Sequence, residues 1–206
     1  MMTFLKTDWD NVSSTSLSDA MHGLQTMDSC IQPLNRRMCV AGPAFTVQIV
    51  QNDCAVVFQA LRDAAPGSVL VIAANGTTDV AFFGEIVVAI AKEKGLAGIV
   101  IDGCARDSLA LSQNDFPVFV KGIVPRIPAR VFLGEVQKDV QCGGVLVRPG
   151  DIVFGDADGV VIIPQEQQAP VLAKAQAKEK LDQWKMEHLL HDPEALEKFL
   201  TDTCTP

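Results

Sequence analysis

Runs of aliphatic residues recur along the first 125 positions, each followed by a segment whose apolar residues return every three or four places. The stretch CVAGPAFTVQIVQ, 39–51, alternates apolar with small or polar residues and predicts a long strand. Residues 53–64 then predict a helix, and after the Pro-Gly turn of APGSVLVIAA residues 69–73 predict a buried strand. NGTTDVAFFGEIVVAIAKEKG predicts a loop and then a helix, with Gly95 as its stop. LAGIVID is the next strand, CARDSLALSQN the next helix and FPVFVKG a further short strand. Ahead of them all, SSTSLSDAMHGL offers Ser and Thr caps to a short helix that Gly23 interrupts. This order of strands and helices favours a parallel sheet with helices packed on it, an α/β fold.

From about residue 129 the pattern shortens. ARVFLGEVQKDVQCGGVLVRPGDIVFGDADGVVIIP is broken by Gly-Gly, Pro-Gly-Asp and Asp-Ala-Asp-Gly, which predicts hairpins or a small second β layer. After Pro164 a polar helix runs to about 189, and DPEALEKFLTDTC closes the chain as an amphipathic segment. No linker or repeat divides the sequence. It reads as one α/β domain over 1–164 with a C-terminal helical arm over 165–206, and the arm is expected at a subunit interface.

Charge and composition narrow the functions. The chain has 206 residues, enough for one sizeable core, and 48% of them are hydrophobic. A formal net charge of −8 argues against a nucleic-acid binder with a broad basic face, though it leaves room for a local cationic pocket. No apolar run approaches the roughly 18 residues of a membrane span. The opening MMTFLKTDWDN lacks the apolar centre of a secretory signal. Six cysteines, at 30, 39, 54, 104, 142 and 204, show neither a CxxC pair nor a zinc spacing. A reduced cytoplasmic protein with mostly buried thiols is expected.

The chemistry concentrates at two places. Gly84-Glu85-Ile86-Val87 begins the helix after the NGTTD loop, where a glycine lets a ligand approach the backbone and free N–H groups attract a carboxylate. Arg106-Asp107 follows the strand that ends at Asp102, placed in the first turn of the next helix. Twenty residues separate Glu85 from Arg106, about one helix, turn and strand, so neighbouring βα units would bring both to one rim of the sheet. Arg106 suits a carboxylate or a developing enolate. Asp107 suits Mg²⁺ or Mn²⁺, which keep most of their waters and take few protein ligands. Such an ion could polarise the carbonyl of a 2-oxo acid, with Glu85 a candidate for proton transfer, directly or through a water. Each feature also has an ordinary reading, as a helix cap or a surface ion pair.

At these residues the sequence resembles the RraA-like family, which includes class II pyruvate aldolases acting on 4-hydroxy-4-methyl-2-oxoglutarate. The resemblance runs from about residue 12 to 164 through LSDAM, GPAFTV, PGSVLVI, FFGEIVVAIAKEKGLAGIVIDGCARD, FPVFVKG and CGGVLVRPGDIVFGDADGVVIIP. The family's pattern of an acid, twenty residues and Arg-Asp is matched by Glu85, Arg106 and Asp107. Members also carry Asp at the first acidic place, from which Glu85 departs. The resemblance implies a three-layer α/β/β sandwich assembled as a homotrimer or a dimer of trimers. It implies a retro-aldol lyase that releases pyruvate through its enolate held on a metal ion, with oxaloacetate decarboxylase activity from the same pocket. The backbone of Gly84–Val87 would bind the substrate carboxylate, Arg106 would stabilise the enolate and Asp107 would hold the ion. Acids from a neighbouring subunit would complete the site, with Glu187 and Glu194 as candidates.

The family also contains inhibitors of a ribonuclease that act by protein contact and lack the metal-binding acid, so a non-catalytic regulator is the alternative; Asp107 favours the enzyme. Other features carry less. His188 and His191 in EHLLHD read as a solvated helix face, His22 as a structural donor, DADGVVIIP as a hairpin turn and PGDIVFGD as no phosphate loop. Arg36 and Arg37 could meet a distal carboxylate or belong to a solvated turn, and Lys92, Lys94 and Lys121 read as surface charges.

Overall fold

The computed structural model describes residues 6–128, 130 and 133–204. The start of the segment expected to turn to short strands, at residues 129, 131 and 132, lies outside them. In chain order the elements are α1 (Ser14–Ala20), β1 (Gln32–Pro33), β2 (Val40–Gln48), α2 (Ala55–Asp63), β3 (Val69–Ala73), β4 (Ala81–Phe83), α3 (Glu85–Glu93), β5 (Gly98–Ile101), β6 (Cys104–Ala105), α4 (Ser108–Gln113), β7 (Val118–Val120), β8 (Gly122–Ile123), β9 (Glu135–Val136), β10 (Val140–Cys142), β11 (Val145–Val147), β12 (Ile152–Asp156), β13 (Gly159–Ile163), α5 (Gln168–His188) and α6 (Pro193–Cys204).

The expected parallel core is present. The main sheet runs β1-β7-β5-β3-β2-β12-β13, and β2, β3, β5 and β7 are parallel. All five residues of β3, VLVIA, are buried, because a parallel strand between two packed layers has no face left for water. Alternation sorts them: Leu70 and Ile72 face a core shared with α2 and α3, whereas Val69, Val71 and Ala73 face a second core. That second core is closed by the antiparallel hairpin β10–β11, with Val140, Cys142, Val145 and Val147 turned inward. Helices, sheet and β layer make the three-layer α/β/β arrangement.

β2 changes partners at Pro43. Val40–Pro43 pair antiparallel with β12, and Ala44–Gln48 pair parallel with β3. Further along, Thr26 bridges to Val161 on β13, which nearly closes the sheet upon itself. A third core, with Trp9, Leu17, Phe154 and Ile163, lies beneath α1 and the beginning of α5, whose Val171, Leu172 and Ala175 are buried in it. The polar remainder of α5 leaves this core, and α6 buries none of its residues. Among the described residues no helix is long and apolar enough to cross a membrane.

Two short strands depart from the sequence reading. AFF, expected in the loop before α3, forms β4, and Cys104–Ala105, expected in a helix, forms β6. With β8 they make a separate parallel sheet ordered β4-β6-β8. Consequently α4 starts at Ser108, and Arg106-Asp107 lies in the link before it instead of in its first turn. Three of the six cysteines are buried and three exposed, so the thiols are less secluded than expected.

Candidate active site

The small sheet β4-β6-β8 brings the two candidate segments together. Ala81 pairs with Cys104 and Phe83 with Ala105, so the parallel strands end side by side, one at Gly84 and the other at Arg106. The Arg106 N–H donates to Phe83 O at 3.0 Å and fastens the two ends. Twenty residues of helix, turn and strand therefore close a loop whose ends touch, but on a sheet of their own and not on the rim of the main one.

Asp107 follows with φ 59° and ψ 38°, a left-handed turn that Asp tolerates better than most residues. This turn carries its carboxylate back toward α3. Its Oδ2 accepts the Glu85 N–H at 3.0 Å and lies 3.5 Å from Arg106 Nε. Gly84 makes the approach possible: a Cβ there would overlap Asp107 Oδ2 and sit 2.9 Å from Arg106 Cγ. The glycine's backbone is extended, with φ −152°, so it is required for space and not for conformation.

The N-cap of α3 is Gly84, which has no side chain to offer its first turn. Asp107 takes the Glu85 N–H, while the Ile86 and Val87 N–H groups have no partner among the described residues. Beside this turn is a cavity of about 230 Å³, walled by Gly84, Ile86, Val87, Arg106 and Asp107 together with Phe58 of α2, Ile127 and Arg130. Two open N–H groups at a helix N-terminus, beside a guanidinium, are a setting for a carboxylate. A second, wider cavity of about 680 Å³ shares Arg106 and Asp107 and is walled by Leu109, Ala110 and residues 123–125. Both members of the pair are partly exposed, with side-chain exposures of 40% for Arg106 and 37% for Asp107.

Glu85 stands apart from its neighbours. Its backbone takes part through the bond to Asp107, but its side chain is exposed and is not in the cavity wall. Conversely, the wall includes Arg130, Phe58 and Cys54, which the sequence reading did not single out. The Arg130 guanidinium lies over the Phe58 ring at 4.9 Å from its centroid. Arg130 sits in the irregular PRIPAR stretch, where no periodicity assigns a direction to a side chain; the density of Arg and Pro was its only signal.

Among the described residues no group of three or more His, Cys, Asp or Glu side chains forms a metal cage. Both contacts of Asp107 use Oδ2, so Oδ1 has no partner among the described residues. One carboxylate oxygen on an open wall fits a hard ion that keeps most of its waters, and it does not fit zinc.

The remaining candidates lie elsewhere. Arg36 donates to Ala157 O at 2.6 Å, and His188 stacks on Trp184 and contacts its carbonyl at 2.8 Å. His22 has φ 58° and its N–H bonds to Asp19 O. Asp156–Gly159 is the turn of the β12–β13 hairpin, as DADG predicted. Lys121 is no free surface charge: it is half-buried, and its Nζ donates to Gly76 O at 3.1 Å.

Comparison with known proteins agrees with this architecture. A protein of Halalkalibacterium halodurans whose name proposes it as a 4-hydroxy-4-methyl-2-oxoglutarate aldolase is 38% identical over 200 residues, which cover 97% of this chain and 95% of that one. The structure of an uncharacterised protein from Pseudomonas syringae superposes with a TM-score of 0.79 at 26% identity, covering 95% of this chain and 99% of that one. Streptomyces coelicolor RraAS2, described as an unusual member of the RNase ES inhibitor RraA family, superposes with a TM-score of 0.78 at 29% identity, covering 88% of this chain and 96% of that one. The RraA-like family (Aldolase/RraA) matches residues 14–162, and to that family the chain belongs.

Proposed function

We propose that the protein is a divalent-metal-dependent carbon–carbon lyase that cleaves 4-hydroxy-4-methyl-2-oxoglutarate, or a related 4-hydroxy-2-oxo acid, to pyruvate, and that also decarboxylates oxaloacetate. The observation that carries the proposal is the Arg106–Asp107 pair set against the partly open first turn of α3 on one cavity wall. The name of the Halalkalibacterium relative supports it.

In this reading the N–H groups of Ile86 and Val87 bind the carboxylate of the 2-oxo acid, and Gly84 lets it come close. Asp107 would hold Mg²⁺ or Mn²⁺, whose chemistry here is Lewis-acid polarisation of the 2-oxo group. Cleavage removes the C4 hydroxyl proton and breaks the C3–C4 bond, whose electron pair passes into the C2 carbonyl as an enolate. The Arg106 guanidinium faces that developing charge and stabilises it more than the substrate's ground state, which is what lowers the barrier. Water then protonates C3. Because Glu85 lies outside the wall, it accepts the hydroxyl proton through a water. Loss of CO₂ from oxaloacetate leaves the same enolate and needs the same groups.

The finer assignments extend this proposal. The chain works in the cytoplasm as a homotrimer or a dimer of trimers, with residues 165–206 as an arm at the interface. The arm leaves Leu181, Trp184, Met186 and Leu190 each more than half exposed. Apolar residues on that scale call for a covering surface. Glu187 or Glu194 of a neighbouring copy would add a carboxylate to the site.

Pyruvate release from oxaloacetate and from 4-hydroxy-4-methyl-2-oxoglutarate, with Mg²⁺ or with EDTA, tests the reading. Release that requires the metal and is lost in Asp107→Asn is expected; release no faster than with metal alone sinks it. The likeness to RraAS2 favours one second reading, a regulator that binds a ribonuclease. A ribonuclease whose activity falls on adding this chain, with no lyase activity present, is its outcome.

A further inference from the structure

Behind the candidate site lies a buried carboxylate that the proposed reaction does not use. Asp102 ends the run of β5 and is 7% exposed. Its Oδ1 accepts the Ala74 N–H, and the N–H groups of Gly143 and Gly76 also favour its charged form. Lys121 acts on it as a cation while donating from Nζ to Gly76 O and from its backbone N–H to Gly103 O at 2.9 Å. The Asp102 carboxylate, with the ammonium and backbone N–H of Lys121, thus stitches two stretches of chain, 74–76 and 102–103, at the same crossing.

Those two stretches lead to the two halves of the site. Residues 74–80 carry the chain from β3 into β4, which ends at Gly84. Residues 102–103 carry it from β5 into β6, which ends at Arg106. Neither strand of this small sheet exceeds three residues, so its own ladder is a weak guarantee of register. The fastening upstream supplies what the strands lack.

Burial pushes the Asp102 carboxyl above its ordinary value, and the surrounding N–H donors and Lys121 oppose that shift. Burying a carboxylate is costly before its partners are counted. Asparagine would avoid that cost, but it brings two N–H donors into a ring of N–H donors and keeps one accepting oxygen. A group that only accepts is what this crossing needs.

We propose that Asp102 is a positioning residue, a clasp that holds the Gly84 turn of α3 opposite Arg106-Asp107. The inference deepens the lyase reading and rests on it for its kinetic consequence only. Two measurements on Asp102→Asn test it: kcat and KM for oxaloacetate with Mg²⁺, and amide hydrogen exchange over residues 74–84. The expected result is a kcat lowered about tenfold or more with KM changed less than about threefold, and faster exchange over that segment. A kcat within about twofold of wild type with unchanged exchange overturns it. If the wild type releases no pyruvate, the lyase reading fails by itself, and exchange alone decides the clasp. If Asp102→Asn does not fold, Lys121→Gln replaces it, and unchanged exchange over 74–84 in that variant overturns the proposal.

Discussion

The N-termini of α1 and α3 solve one problem in opposite ways. Each exposes first-turn N–H groups that a helix cannot satisfy internally. At α1 the chain supplies acceptors for the Ser14 and Ser16 N–H groups of the first turn. The Ser16 N–H donates to Ser13 Oγ at 3.1 Å, Asp156 Oδ2 accepts the Ser14 N–H at 2.8 Å, and Glu179 Oε1 accepts from the Ser13 N–H and from the Ser13 and Ser16 hydroxyls. At α3 a glycine stands at the cap, and the one carboxylate in reach gives an oxygen to Glu85 that Arg106 also approaches. A helix end closed by two acids of its own chain repels a further anion. The end left open beside an arginine is the one that can receive a substrate carboxylate. Local chemistry, and not helix geometry, separates the structural end from the candidate functional one.

Substitutions at the two ends should diverge accordingly. Arg106→Ala removes the cation of the open end, and kcat/KM for oxaloacetate is expected to fall by about 10³-fold, with the melting temperature little changed because the side chain is partly exposed. Asp107→Asn keeps the turn and removes the charge; steady-state assays should show a loss of about 10²-fold together with the response to added Mg²⁺, and EDTA on the wild type should mimic it. Gly84→Ala forces the Asp107 carboxylate away from the turn, with an expected loss in kcat of about 10²-fold and a small change in stability. A wild-type rate in Gly84→Ala would break the contrast, since the close approach would then be idle.

At the closed end the effects are on stability alone. Ser13→Ala is expected to cost about 1 kcal/mol in denaturant unfolding and to leave kcat unchanged. Hydrogen bonds from Ser13 and Ser16 hold the Glu179 carboxyl below its ordinary value. A depressed carboxyl stabilises the fold above its unfolded pKa, and that contribution fades as pH falls through the folded value. The melting-temperature gap between wild type and Glu179→Gln should therefore shrink below about pH 4. A gap that widens with acid would show that the serines are not what Glu179 holds.

What the sequence disclosed follows from how far each signal reaches. β3 falls on the expected residues 69–73 because five consecutive buried aliphatics need no neighbour to declare them. The DADG turn is equally local. The sequence predicts loop and helix at β4 and β6 because three and two residues show no period, and their pairing exists only once β3 and β5 have delivered them to one place. The spacing of Glu85 and Arg106 foresaw that these segments meet. It could not foresee that Glu85 would contribute its backbone while its side chain points out of the wall, or that Arg130 would enter it, since the direction of a loop side chain is set by packing. Lys121 looks solvent-facing in the sequence because its partner at Gly76 is remote along the chain.

The left-handed turn at Asp107 also bears on how such a site drifts when selection on its chemistry relaxes. Aspartate, asparagine and glycine are the residues that occupy this conformation most readily, and single base changes connect the aspartate codons to those of both others. The conformation therefore has an escape route that keeps the architecture whole while discarding the charge. A descendant that has abandoned the proposed reaction should carry Asn or Gly at this place more often than Ala or Ser, with its neighbouring arginine still in position to grip something else.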